Sequence, residues 1–175
     1  RGPQRVDFKP LPHFTGKAWQ GGPELPDRKT GWVHWNSLGG HPGHGDHAAI
    51  LRWVAPGKAT VRVSGELLRP AKKGDAVRGL VVVGNQIMSE WTVEPGGKVT
   101  TGVVLQVAAG QTVDFLVEST GDEAWDGFQW APVIMEEGGS LPLAEAQAGF
   151  SGPALDRWPL LAQVLLLSNE FLYVD

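Results

Sequence analysis

The sequence predicts an all-β fold, an antiparallel β-sandwich followed by a carboxyl-terminal helix. Three observations carry this expectation. Short apolar runs recur at roughly 10–15 residue spacing, with Gly or Pro between them. Several runs alternate apolar and polar residues, the period of a half-buried strand, and no helical period intervenes before residue 136. Gly 24 and Pro 13 among 175 residues stand well above the combined average of about 12%, which suits many turns.

The elements follow in order. Residues 1–47 are rich in Gly, Pro and His and read as loops with two short strands. Ala48–Ala55 forms a strand that ends at the turn Pro56-Gly57. Ala59, Val61 and Val63 then alternate with Thr60, Arg62 and Ser64. Val77–Val83 is the next run, and Gly84-Asn85 turns it into Ile87–Val93. After Pro95-Gly96-Gly97 come Val103, Leu105 and Val107; after Ala109-Gly110 come Val113, Phe115 and Val117. Phe128–Met135 closes the series. The sandwich is therefore expected over residues 1–136. Residues 137–154, opening Glu137-Gly138-Gly139-Ser140, read as a linker, and 155–175 as a helical segment. Asp156 caps that helix and Pro159 falls in its first turn, where a missing N–H is harmless. Leu160, Leu161, Val164, Leu165 and Leu167 cover more than one of its faces. Such a helix must dock, on this sandwich or on another domain.

Composition narrows the function classes. A mass of 18.8 kDa suits one domain with an attached segment. Lys+Arg 15 against Asp+Glu 19 gives a net charge of -4, which argues against a nucleic-acid partner, whose phosphates are held by clustered Lys and Arg. No apolar run, Val164–Leu167 included, approaches the roughly 20 residues of a membrane span. With Cys 0 there is no disulfide, thiol nucleophile or thiolate metal site. The chain begins at Arg1 without Met or a signal sequence and reads as cut from something longer.

Eight tryptophans against one tyrosine is the most informative count. An indole buries a large area and seeks a partner for its N–H, so a core of this size absorbs only some of them. Trp53, Trp91 and Trp130 sit within strand patterns and read as core, and Trp158 lies in the helical segment. Trp19 precedes Gln20-Gly21-Gly22, Trp32 and Trp35 flank His34, and Trp125 adjoins Asp126 in a polar turn. An exposed indole face offers polarised apolar area to sugar C–H groups, while neighbouring polar side chains bind hydroxyls. Those are the elements of a shallow carbohydrate-binding surface.

Other chemistries have less behind them. His41-Pro42-Gly43-His44-Gly45-Asp46-His47 gathers imidazoles and a carboxylate, so His41, His44 and His47 are candidate metal ligands, though the spacing matches no zinc signature. No G-x-S-x-G elbow, G-x-G-x-x-G or Walker sequence occurs. Asp122, Glu123 and Asp126 form a carboxylate group in a turn, where solvated acids are ordinary. Arg52 shares a side of its strand with Ile50, so its guanidinium requires an acid, Asp126 or Asp114.

Four blocks carry a family resemblance: Phe14–Gly22, Gly39–Gly43 with His47–Pro56, Asp126–Pro132, and Leu161–Leu172. Together they resemble segments of large planctomycete-type cytochrome c proteins. The resemblance implies a sandwich similar to galactose-binding-like carbohydrate modules, of jelly-roll type, within an exported parent protein whose haem lies elsewhere, since no C-x-x-C-H occurs here. A structural calcium ion is common in similar folds, though no ligand set in this sequence matches one.

The expected function is a non-catalytic carbohydrate-binding module, extracellular or periplasmic, that anchors its parent to a polysaccharide or oligosaccharide. Trp19, Trp32, His34, Trp35 and Trp125 are its expected contacts. The alternative is a structural or interaction module that packs against other domains of the parent. The two differ in whether the surplus indoles line one open groove or form a flat patch continuous with the apolar helix.

Overall fold

A computed structural model of the chain describes residues 6–45 and 47–153. Thirteen strands and no helix occur among them. In chain order they are β1 (His13–Phe14), β2 (Ala18–Gln20), β3 (His34–Asn36), β4 (Gly39–His41), β5 (Ala49–Val54), β6 (Ala59–Leu68) and β7 (Val77–Val83). They continue with β8 (Gln86–Val93), β9 (Lys98–Val107), β10 (Thr112–Ser119), β11 (Phe128–Gln129), β12 (Val133–Glu136) and β13 (Pro142–Glu145). The strands are antiparallel throughout and form two sheets, as the turn-punctuated pattern predicts.

The smaller sheet runs β5-β10-β7-β8. The larger is built on β6, which pairs with β9 along its full length. The other edge of β6 is divided. Val61–Ser64 pair with β12, and Leu68 meets β11. From β11 the sheet continues through β4, β3 and β2 to β1, and from β12 it continues to β13. The run Phe128–Met135, expected as one strand, is therefore two. Pro132 lacks an N–H and restricts Ala131, which breaks the ladder between them.

Side chains from both sheets meet in one hydrophobic core. Along β6, Val61, Val63 and Leu67 face inward while Arg62, Ser64 and Glu66 face water. Val77, Val81 and Val83 of β7 and Val113, Phe115 and Val117 of β10 oppose them. Trp130, 1% exposed, lies between the layers. Its indole N–H donates to Thr101 Oγ1 at 3.1 Å, and its ring meets Phe115 edge-on at 5.7 Å. Glycines make room for it. A Cβ at Gly65 would lie 3.4 Å from Trp130 Nε1, and one at Gly79 would lie 2.5 Å from Leu67 Cδ2.

The central strands of the smaller sheet are also buried on their other face. Leu80, Val82 and Leu116 form a second cluster there, with Val6, Ala48, Ile50 and Ile87 packed against it. The same face carries two ion pairs. Arg52 binds Asp114 through Nε at 2.6 Å and Nη2 at 2.8 Å, and Arg78 binds Glu118. Asp114, not Asp126, is thus the acid that Arg52 requires. The hydrogen bonds of Asp114 hold the Arg52 guanidinium above its ordinary pKa, and Phe8 lies 4.2 Å from it.

The segment expected as a linker contains β13, which pairs with β12. Ala146 N then donates to Pro132 O at 3.0 Å, Phe150 packs on the core, and Ser151 O accepts the Trp19 indole N–H at 2.8 Å. Pro142-Leu143-Ala144-Glu145, without an alternating pattern, forms an edge strand because pairing with β12 needs only backbone groups. The helix expected over 155–175 lies outside the described residues. The amino-terminal loops likewise contain four strands, each too short for a period to be legible.

Candidate carbohydrate-binding groove

Register sorts the candidate residues onto two faces. Across β2, β3, β4 and β11 the pairs are Trp19 with Trp35, Trp35 with Gly40, and Gly40 with Phe128. This row faces the core. Trp35 is 4% exposed and meets Phe128 edge-on at 5.1 Å. Gly40 lets the backbone of β3 come close to β4: a Cβ there would sit 2.1 Å from His34 O. Gly40→Ala is therefore expected to destabilise the fold by about 2–3 kcal/mol, read as a lower midpoint in urea denaturation.

The alternate residues, Gln20, His34, Asn36, His41 and Gln129, lie on the opposite face by strand alternation. Two of the expected contacts are thereby set apart from His34. Trp35 is buried in the core, and half-buried Trp19 borders a separate hollow of about 360 Å³ beside Trp53. Trp19 packs on Phe14 at 5.0 Å between ring centroids, with its N–H already bonded to Ser151 O. The period-2 alternation puts Trp19, Trp35 and Phe128 on one face, with Gly40 between Trp35 and Phe128.

Trp32, His34 and Trp125 are brought together. They line one open groove of about 830 Å³, with His41, Leu38 and Gln129. Trp125 is 61% exposed and Trp32 39% exposed, and Leu38 on the rim is exposed as well. Asn36 holds that rim, since its Oδ1 accepts from Leu38 N at 2.8 Å and Gly39 N at 3.1 Å. Lys73 Nζ lies 5.7 Å from the Trp125 ring centroid. Trp125 also has φ 71, alone in this region among the described residues other than glycine.

A buried ion pair fixes the loop that carries Trp125. The side chains of Arg69 and Asp126 are both fully buried, with Nη2 3.0 Å from Oδ1. Arg69 also donates to Ala71 O at 2.8 Å and Lys73 O at 2.6 Å. One guanidinium thereby ties the loop after β6 to the loop before β11. Asp75 adds a second tie, accepting from Asp122 N at 2.9 Å. Of these, Asp126 was legible as an acid in a turn; Arg69, after an apolar pair and before a proline, carried no local signal.

His34 and His41 line the groove, and His44 and His47 do not. His34 Nδ1 lies 3.0 Å from Trp32 O and His41 Nδ1 lies 2.6 Å from Pro42 O. A carbonyl only accepts, so each Nδ1 carries a proton, and neutral His34 keeps Nε2 as an acceptor. The rings stack at 6.1 Å. His47 Nδ1 bonds His44 O, and both residues are exposed away from His41's partners. Among the described residues no group of three or more His, Asp or Glu is set to hold a metal ion, so neither the expected histidine set nor a carboxylate site for calcium forms there.

Burial lowers the pKa of His34 below 6.5, and the neighbouring His41 adds to the shift, against the hydrogen bond to Trp32. Between that lowered value and 6.5 the unfolded chain binds a proton that the folded chain does not. The contribution of His34 is then fully present above 6.5 and is lost as pH falls towards the folded value. Urea midpoints at pH 7.5 and pH 5 are expected to differ less in His34→Gln than in the parent chain.

No protein-family model and no curated protein sequence matches this chain. Its reading rests on its own residues.

Proposed function

We propose that this chain is a non-catalytic carbohydrate-binding module, a sandwich of jelly-roll, galactose-binding-like type, which holds an exported parent protein on polysaccharide. One observation carries the reading: the two most exposed indoles among the described residues, distant in sequence, line a single groove together with imidazole and amide groups. Indole faces stack on sugar C–H surfaces, and the floor offers hydroxyls both donors and acceptors. The positive φ of Trp125 supports it too, because a strained side chain held outward by a buried ion pair serves no packing purpose.

The alternative, an interaction module covered by other domains of its parent, needs a flat apolar patch. Trp32 and Trp125 border a groove instead of a flat surface, and His34, His41, Asn36 and Gln129 in its lining supply groups for sugar hydroxyls; the helix with which such a patch would be continuous lies outside the described residues. The resemblance to planctomycete-type cytochrome c proteins fits an extracellular or periplasmic setting for either reading.

Affinity electrophoresis through gels containing soluble β-glucans, mannans, xylan and galactans tests the proposal. Retardation by at least one polysaccharide, lost in Trp32→Ala and Trp125→Gly, is the expected result. Equal mobility in every gel would remove the proposal.

A further inference from the structure

Beside the groove at Trp125 lies a second hollow of about 780 Å³, and the two share His34, Asn36 and Leu38. The second hollow is bordered by Phe14 and Phe150, whose ring centroids are 6.3 Å apart, and by Lys17 and Ser37. Together the hollows cross β2, β3, β4 and β11, a span of roughly 14 Å by strand spacing alone. Aromatic side chains line each end, and the shared middle consists of His34, Asn36 and the exposed Leu38.

We infer that the site takes an internal stretch of an extended glycan chain, with one group of sugar units against Trp32 and Trp125 and another in the hollow at Phe14. This inference rests on the carbohydrate reading above and adds the class of ligand. A site for a chain end or a monosaccharide encloses one ring. Here the two hollows adjoin along β3, whose His34 and Asn36 side chains line both, while Trp35 between them turns to the core. The polar row across the strands supplies hydrogen-bonding groups along the chain direction, and aromatic contact recurs at both ends.

The probes are β-1,4-gluco-, β-1,4-manno- and β-1,3-gluco-oligosaccharides, each from monosaccharide to hexasaccharide, titrated calorimetrically into the parent chain and Ser37→Trp. In at least one series, affinity is expected to rise about a hundredfold from disaccharide to hexasaccharide, equivalent to roughly 2.8 kcal/mol. Ser37→Trp, which fills the second hollow, is expected to reduce hexasaccharide affinity to the disaccharide level and leave the disaccharide unchanged. A rise no greater than the number of registers a longer chain offers, unaffected by Ser37→Trp, would overturn the extended-chain inference while leaving a sugar site in place. Absence of binding by every oligosaccharide would overturn both. The length dependence of the parent chain decides the matter even where Ser37→Trp fails to fold.

Discussion

Trp125→Gly is expected to abolish polysaccharide retention while leaving the unfolding midpoint within a degree or two of the parent chain. The ring is 61% exposed and packs against no core residue, so its loss removes ligand contact area and little folding energy. A central aromatic anchor typically contributes about 2 kcal/mol or more to binding, which corresponds to at least about thirtyfold in affinity. Three stability effects oppose one another. Glycine adopts φ 71 without the roughly 1–2 kcal/mol that a left-handed conformation costs other residues. Against this, glycine raises unfolded-chain entropy by about 0.4–1 kcal/mol, and Lys73 loses a cation–π contact of about 0.5–1 kcal/mol. The sum lies near zero. Loss of retention together with a large fall in midpoint would instead make Trp125 a folding residue and weaken the case for a sugar platform.

Arg69→Met is expected to be the most destabilising of these substitutions, by about 3–5 kcal/mol in urea denaturation. The methionine matches the arginine stem in bulk but leaves the Asp126 carboxylate buried without its cation. It also strips the donors from Ala71 O and Lys73 O. Adding Asp126→Leu should recover part of the loss, because removing both charges eliminates the uncompensated one. The two orphaned carbonyls remain, at about 1–3 kcal/mol each if they stay dry. A coupling energy above about 2 kcal/mol in the double-mutant cycle is the expected outcome. In the double variant, Trp125 loses its anchored loop, so polysaccharide retention should fall further than stability does. Retention equal to that of the parent chain in a folded double variant would show that the ion pair does not position the ring.

Much of the fold was legible because period-2 patterning is a local property. Val61, Val63 and Leu67 against Arg62, Ser64 and Glu66 state both the strand and its buried face. The short strands were not legible for the same reason: β1 to β4 contain two or three residues each, fewer than a period needs. β13 was hidden by its composition, since Pro142–Glu145 is held by backbone pairing at an edge and buries little. At the site, the surplus of tryptophan predicted exposed indoles, and Trp32 and Trp125 are exposed. Which tryptophans were surplus was not accessible. Trp32 and Trp35 are near neighbours, yet one borders the groove and the other is core, because β3 begins between them and its register with β2 and β4 turns Trp35 inward.

By itself, the sequence determined the class of fold, the positions of the long strands and the presence of more indole than a core of this size absorbs. These depend on residue order over a few positions and on composition. Only the tertiary structure decided that Trp32 and Trp125 border the same groove, that His41 joins its lining, and that Arg69 pairs with Asp126 while Arg52 pairs with Asp114. Each of those is a pairing between residues far apart in the chain. Strand register sets such pairings, and register is a property of the assembled sheet.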